Sequence, residues 1–250
     1  MAFWTLYKRE LNGYFQSAVG YVVLFGSALI QSVFFVLLLS VAINNNVREA
    51  SVMQMFFNGI LFWIFLLGQV PLITMRLFSE EFKLGTIEML LTAPVREWDV
   101  VLAKFFGALS FFLILWLPIV LDLLALQLFS NPEPPVQWSQ IGLTLLTLIL
   151  AGGLYVSIGL FSSVLTKNQI ISAVLCFAFL LVIFFISLWR YVPHTDATSL
   201  DIISYISGIE HMRDATLGIY DSRPIVYYVS VTAFVLLVTK SILEGRRLKS

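Results

Sequence analysis

The sequence predicts an all-α polytopic membrane protein with six transmembrane helices. Of its 250 residues, 59% are hydrophobic and only 12% are charged, and the mean hydropathy is +0.92. An ordinary soluble domain has about a quarter of its residues charged. Fifteen Lys and Arg balance 15 Asp and Glu, so no excess of basic charge favours a nucleic-acid partner. The single cysteine, Cys176, lies in an apolar run and excludes a disulfide framework.

Residues 1–16 predict a helix that lies at the membrane interface. The aromatic residues and Leu11 fall on one helical face, whereas Lys8, Arg9 and Asn12 fall elsewhere. This pattern is typical of an interfacial amphipathic helix. A cleavable signal peptide is the alternative. The apolar segment after Lys8 and Arg9 has no convincing small-residue cleavage site, which favours the interfacial helix.

Six apolar segments are long enough to cross a bilayer, which takes about 20 residues. They run over residues 20–42, 57–75, 102–128, 141–165, 170–189 and 225–243. The short connection at 167–169 makes the fourth and fifth spans an antiparallel hairpin. Pro71 and Pro118 can kink the second and third spans. The fourth span carries glycines that allow close helix approach, Gly142, Gly152, Gly153 and Gly159.

The distribution of Lys and Arg predicts the orientation. With a cytoplasmic amino terminus, 11 of the 15 basic residues fall in inner segments and 4 in outer segments. By the positive-inside rule, both termini and the connection between the second and third spans face the cytoplasm.

That connection, residues 76–104, is the charge-dense stretch between two apolar runs. Its apolar residues recur mostly every three or four positions, which indicates short amphipathic helices lying on the membrane face. Gly85 ends the first helix, and Thr86 caps the next with Glu88 in its first turn. Pro94 then ends the second helix. A soluble partner on that side of the membrane can reach this element.

Residues 191–224 form a second polar stretch, on the outer side. Its apolar pieces are too short to cross, so we expect re-entrant or interfacial outer helices. His194 and His211 lack a third ligand at metal spacing, and the sequence predicts no metal site. Asp122 is an ionisable residue within a span, which suggests an intramembrane polar site. It lies near the outer end of its helix, however, where it can also reach the interface, and both interpretations stand.

Enzyme motifs are absent from the sequence. It contains no G-x-x-x-x-G-K-[ST] phosphate loop, no G-x-S-x-G and no H-E-x-x-H. The chain is therefore not expected to be an enzyme, and any ATP hydrolysis that drives it takes place on another subunit.

Four runs of residues carry a family resemblance. Arg76-Leu-Phe-Ser-Glu-Glu and the following Gly85-Thr-Ile-Glu-Met-Leu-Leu-Thr-Ala-Pro-Val resemble the hallmark of type-2 ATP-binding cassette (ABC) exporter permeases. Lys8-Arg-Glu-Leu, and the tail from Gly218-Ile-Tyr-Asp-Ser-Arg to the end of the last span, resemble the branch that contains the gliding-motility and nitrous-oxide-reductase-maturation permeases.

The resemblance implies a single transmembrane domain over residues 1–250, in an exporter of two permeases and two ATPases. The element at 76–104 would contain the coupling helix that docks on the nucleotide-binding subunit, with ATP and Mg bound by that subunit and no cofactor on this chain. The implied coupling residues are Arg76, Glu80, Glu81, Gly85, Thr86, Glu88 and Pro94. The outer segment would act as a lid or gate, with Gly218, Asp221 and Arg223.

The resemblance also implies a location in the inner (cytoplasmic) membrane, among lipid, and a second permease copy that is identical or related. Cargo export and mechanical signalling to a periplasmic partner are both open. A stand-alone channel or secondary transporter is the alternative, although mid-span ionisable residues and matching broken helices, which such proteins normally have, are scarce here.

Overall fold

The structure is a computed structural model that describes residues 2–45, 50–86, 96–129, 136–189 and 203–247. The described part of the chain is helical. The helices are α1 (Ala2–Phe15), α2 (Ala18–Asn44), α3 (Ala50–Asn58), α4 (Ile60–Thr74), α5 (Ser79–Leu84), α6 (Glu97–Leu115), α7 (Leu117–Phe129), α8 (Trp138–Leu165), α9 (Gln169–Leu188), α10 (Gly208–Leu217) and α11 (Arg223–Arg247).

The predicted fold class is confirmed. Six helical segments in the described residues are long and apolar enough to cross a membrane. They are Ala18–Asn44, Ile60–Leu84, Glu97–Phe129, Trp138–Leu165, Gln169–Leu188 and Arg223–Arg246. Each overlaps one predicted span, and most extend the predicted bounds by a few residues because polar residues continue the helix beyond its apolar centre.

The second span is interrupted in a way that the sequence analysis did not predict. The predicted span begins at Phe57, but this residue lies near the end of α3, a separate helix. Gly59 has an extended backbone (φ −67°, ψ 143°) and separates α3 from α4. A side chain there would collide with the carbonyl oxygen of Met55, 2.8 Å from an ideal Cβ. Glycine therefore permits the tight junction between the two helices.

The two prolines behave differently. Pro71 lies inside α4, which continues past it to Thr74. Pro118 follows a break at Trp116, where α6 ends and α7 begins, so the third span consists of two helices. Proline has no backbone N–H and favours the first turn of a helix, which accounts for its place at the start of α7.

Helix α8 forms the centre of the bundle. In its most apolar stretch 67% of the residues are buried, against 17% in each of α2 and α11, which present apolar side chains to the surroundings. Two of the four glycines singled out in α8 lie at close contacts: a Cβ on Gly152 would overlap the ring of Phe112, and one on Gly159 would overlap Thr74. The prediction was wrong for Gly142, which faces open space.

Candidate functional site

Helix α5 follows α4 at the end of the second span, Ile60–Leu84, and the bundle holds α5 by its first turn. The hydroxyl of Ser163 on α8 accepts hydrogen bonds from the backbone N–H groups of Phe78 (2.8 Å) and Ser79 (3.1 Å). N–H groups in the first turn of a helix lack an acceptor within the helix and need one from elsewhere. The buried Phe78 and Phe82 side chains fix the helix against the core.

Helix α5 ends where the sequence predicted. Gly85 has φ +71°, the left-handed conformation that glycine adopts without steric cost, and it forms the carboxyl-terminal cap. The Thr86 hydroxyl donates a long hydrogen bond, 3.5 Å, to the carbonyl of Glu81. The next described residue is Arg96, which precedes α6.

An ion cluster joins α5 to α1 and α6. The Nζ atom of Lys104 lies 2.8 Å from Oε1 of Glu81 and 3.1 Å from Oε1 of Glu10. The Arg9 guanidinium contacts the same two oxygens, at 2.9 Å from Glu10 and 3.2 Å from Glu81. The Lys104 side chain is only 2% exposed. The carboxylates of Glu81 and Glu10 offset the cost of burying this charge, and so does the Phe78 ring, whose centroid lies 5.2 Å from Nζ.

Helix α1 also holds the end of α4. The Tyr14 hydroxyl donates to the carbonyl of Ile73 at 2.9 Å, and its ring stacks on Phe111 of α6 at 4.4 Å between centroids. Burial, reinforced by the negative charge of Glu10, raises the pKa of Tyr14. Its hydroxyl therefore stays a donor at neutral pH.

The end of α11 covers the other side of α5. The Arg246 guanidinium lies 4.4 Å from the centroid of the Phe82 ring and donates to the carbonyl of Leu165 at 3.2 Å. Both ends of the described chain thus meet at α5, through Arg9 and Arg246. A rotation of α5 would disturb contacts with α1, α6, α8 and α11 together.

The structure describes five of the seven predicted coupling residues. Arg76 lies in the turn before α5 and donates to the Ser17 hydroxyl at 3.1 Å. Glu81 belongs to the ion cluster. Glu80 is half-buried, and its side chain makes no hydrogen bond or ion pair to the described residues. Gly85 and Thr86 lie at the end of α5. Glu88 and Pro94, and the helix predicted around them, lie outside the described residues.

At the opposite end of the bundle, α10 is seated on the spans by polar contacts. Asn58 of α3 donates to the Thr216 hydroxyl at 3.2 Å, and Nδ1 of His211 lies 3.3 Å from the Tyr228 hydroxyl. Burial lowers the pKa of His211 to about 4, against an opposing effect of Asp221. His211 is therefore neutral at pH 7. His194 lies outside the described residues.

The predicted gate residues lie between α10 and α11. Gly218 has φ +79° and caps α10, and a Cβ there would lie 3.0 Å from Cγ of Gln140. The Asp221 carboxylate accepts from the Arg223 backbone N–H at 2.9 Å and lies 3.8 Å from its Nε. These exposed contacts form a tight connection between the two helices.

Asp122 is not isolated. Ser32 of α2 donates a hydrogen bond of 3.0 Å to its carboxylate, and Asp122 is half-buried. This contact links the first and third spans.

Sequence reasoning missed two residues of the ion cluster. Glu10 was included only in the amino-terminal run Lys8-Arg-Glu-Leu, and Lys104 was counted only among the 11 basic residues of the inner segments. Yet Lys104 lies on one helical face with Val100, Gly107 and Phe111, at spacings of four, three and four. A lysine within such a buried stripe requires a carboxylate partner, so periodicity contains the signal.

These features define a class of protein. Six apolar helices long enough to span, around a buried central helix, make the chain a multi-pass membrane protein. The sequence profile described as "ABC-2 family transporter protein" matches residues 38–209, which is more than half of the chain. The chain therefore belongs to this family, whose members are transmembrane permeases of ABC transporters. No curated protein matches the sequence.

Proposed function

We propose that the chain is the permease subunit of an ABC exporter of the gliding-motility and nitrous-oxide-reductase-maturation branch. A separate nucleotide-binding subunit, which carries ATP and Mg, docks on the element that contains α5. The observation that carries this proposal is the ion cluster of Glu81, Lys104, Glu10 and Arg9, because it ties the docking element to two further helices.

The cluster suggests how a docked partner moves the spans. Force applied to α5 passes directly into α4, because only the turn at residues 75–78 separates them. It passes into α6 through Lys104, and into α1 through Glu10. Packed interfaces shift between discrete arrangements rather than deforming smoothly. A movement of α5 would therefore shift the ends of the second and third spans as one unit.

The surface that α5 offers to a partner is distinct from the one it buries. Lys83, Leu84 and Gly85 are exposed, and Leu84 exposes 67% of its surface. An exposed leucine beside a glycine cap and a charged residue is compatible with a groove on a soluble protein. Glu88 and Pro94 belong to the same predicted docking element.

At the other end, α10 and the turn with Gly218, Asp221 and Arg223 would form the outer lid. Its polar contacts to Asn58 and Tyr228 would break and reform as the lid opens. In this proposal both termini face the cytoplasm, the protein lies in the inner membrane, and a second permease copy completes the pathway. Asp122 adds a polar site between the first and third spans.

The first experiment is an affinity purification of the tagged chain in mild detergent, with identification of copurifying proteins and an ATPase assay. We expect a stoichiometric cytoplasmic ATPase. Glu80→Lys should reduce its recovery without unfolding the permease, because Glu80 has no partner among the described residues. Glu81→Lys should reduce the coupling between ATP hydrolysis and transport. It replaces the carboxylate that binds Lys104 and Arg9 with a third cation, which they repel.

Arg223→Glu is the matched control, since it reverses an exposed charge at the opposite end of the bundle. It should leave ATPase recovery unchanged. Folded permease that purifies without any ATPase would contradict the proposal and favour a stand-alone channel or secondary transporter.

A labelling experiment tests the orientation. Cys176 is fully buried, so background modification is low. Cysteines placed at Lys83 and at Tyr220, which is 78% exposed, should react with a membrane-impermeant maleimide from opposite sides. We expect Tyr220→Cys to react from outside and Lys83→Cys only after the membrane is opened. The reverse result would invert the topology.

A further inference from the structure

A cavity of about 440 Å³ opens beside the ion cluster, between α1, the start of α2, the end of α4 and α5. Its volume falls in the range of small-molecule sites, about 300–1,000 Å³. Tyr14, Ser17 and Arg76 line it on one side, with Glu80 and Glu81 on α5. Because α2 begins and α4 ends here, the cavity lies at the level where apolar spans meet the membrane surface.

Two opposite charges that line this cavity, Arg76 and Glu80, have no ion-pair partner among the described residues. Arg76 donates to Ser17 through Nη1, but its Nε is buried without a hydrogen-bond partner. The side chain of Glu80, one helical turn away, has no partner among the described residues and forms no ion pair with Arg76. The second carboxylate oxygen of Glu81 is also buried without a partner. Arg76 and Glu80 therefore line one cavity without an ion-pair partner among the described residues, which calls for a ligand with both charges.

A ligand with one charge suits this site poorly. An anion would be repelled by three lining carboxylates, those of Glu10, Glu80 and Glu81, and a cation would meet Arg76 and Lys104. A zwitterion with a phosphate and a primary ammonium a few bonds apart matches both. The phosphate fits the planar fork of a guanidinium, and the ammonium supplies donors to carboxylate oxygens.

The remaining wall of the cavity is apolar and continues onto the surface of the spans. Val19 and Leu72 line it and are themselves 36% and 48% exposed. Val22 and Phe25, further along α2, are 71% and 62% exposed. The site therefore opens towards lipid chains rather than only towards water, which favours a lipid over a soluble zwitterion.

We propose that this cavity binds the phosphoethanolamine headgroup of a membrane lipid. Arg76 holds the phosphate, Glu80 holds the ammonium, and the acyl chains lie along α2 and α4. Because the headgroup touches α5 and the turn before it, the bound lipid stabilises one position of the element that we assign to ATPase docking. The site itself requires neither an ATPase nor transport.

Native mass spectrometry of the full chain tests the proposal. The detergent-purified protein is mixed with equal amounts of phosphatidylethanolamine, phosphatidylcholine and phosphatidylglycerol that carry the same acyl chains. We expect phosphatidylethanolamine to be retained about tenfold over the other two, the effect of one charge-assisted hydrogen bond. The trimethylated headgroup has no N–H donors, and the glycerol headgroup has no ammonium.

Variants assign the two charges. Glu80→Gln should abolish the preference for phosphatidylethanolamine over phosphatidylglycerol, whereas Arg76→Gln should lower retention of all three lipids about tenfold. Lys83→Gln, an exposed change on the same helix outside this cavity, is the control and should change nothing. If Arg76→Gln does not fold, Glu80→Gln alone tests the proposal. The Glu80 side chain has no partner among the described residues, so this variant is expected to fold.

Three results would overturn the proposal: equal retention of the three lipids, an unchanged preference in Glu80→Gln, or displacement of the lipid by soluble glycerophosphoethanolamine at the same concentration. The last would identify a soluble ligand of the same chemistry. Because no ATP or ATPase enters the test, its outcome is independent of the affinity purification.

Discussion

The Nζ atom of Lys104 lies 2.8 Å from Oε1 of Glu81, and this ion pair joins the start of the third span to α5 at the end of the second. Lys104 is almost fully buried, whereas Glu81 and Glu10 retain 20% and 14% exposure of their side chains. Arg9 closes the cluster from its exposed side. The two cations neutralise the two carboxylates. Removing any one of the four therefore leaves an unbalanced charge in the cluster.

Removing the buried cation should destabilise the fold. We expect Lys104→Met to lower the free energy of unfolding by about 3 kcal/mol, because it leaves two neighbouring carboxylates with only Arg9 as a partner. Chemical denaturation in detergent measures this value. Lys83→Met, an exposed lysine on α5, should change stability by no more than about 0.5 kcal/mol.

A second substitution separates lost charge from lost packing. Adding Glu10→Gln to Lys104→Met leaves one cation, Arg9, beside one carboxylate, Glu81. The double variant should therefore recover part of the stability. The two changes are therefore expected to be non-additive, with a coupling of about 1 kcal/mol or more. Strict additivity would show that the residues do not interact as the structure places them.

The central helix offers an internal comparison between two glycines. A Cβ on Gly152 would overlap the buried ring of Phe112, whereas Gly142 of the same helix faces open space. We expect Gly152→Ala to cost about 1–3 kcal/mol through overpacking. Gly142→Ala should be neutral or gain up to about 1 kcal/mol from helix propensity.

Denaturation of the two variants in one detergent gives the comparison directly. Phe112→Leu should relieve the clash and rescue Gly152→Ala in part, although alone it removes core packing. Equal stabilities of Gly152→Ala and Gly142→Ala would mean that α6 and α8 are not in close contact at this level.

Much of the fold could be predicted because it follows from local patterns. Apolar runs of sufficient length predicted all six spans. The end of α5 was predictable because the amphipathic pattern stops there at Gly85, a residue that tolerates positive φ. The break at Gly59 could not be predicted this way. An extended glycine inside an apolar run depends on how closely the neighbouring helices approach.

The candidate site was predicted in part, for the same reason. A local motif singled out Glu80 and Glu81, but it could not distinguish them, and the structure gives them different surroundings. Glu81 forms ion pairs with residues 72 and 23 positions away in the chain, Arg9 and Lys104. The Glu80 side chain lines the adjacent cavity without such a pair among the described residues. Contacts between distant segments are set by packing, which periodicity along one helix does not contain.

The stability of the packing of α10 on the spans should depend on pH through His211. Its imidazole is buried, its Nδ1 is hydrogen-bonded to Tyr228, and its Nε2 has no partner among the described residues. Burial lowers the pKa in the folded protein from 6.5 to about 4. Between these values the unfolded chain binds a proton that the folded chain does not, so stability is complete above about pH 6.5 and falls as the pH is lowered towards 4.

The expected loss from this one group is on the order of 3 kcal/mol at pH 4. Carboxylates such as Asp221 titrate in the same range, so the measured quantity is the difference between the parent protein and His211→Gln, which cannot take up the proton. Hydrogen exchange of α10 should accelerate at pH 4.5 in the parent and change less in the variant. Parallel pH profiles of the two proteins would contradict the buried, neutral imidazole and, with it, the packing of α10 on the last span.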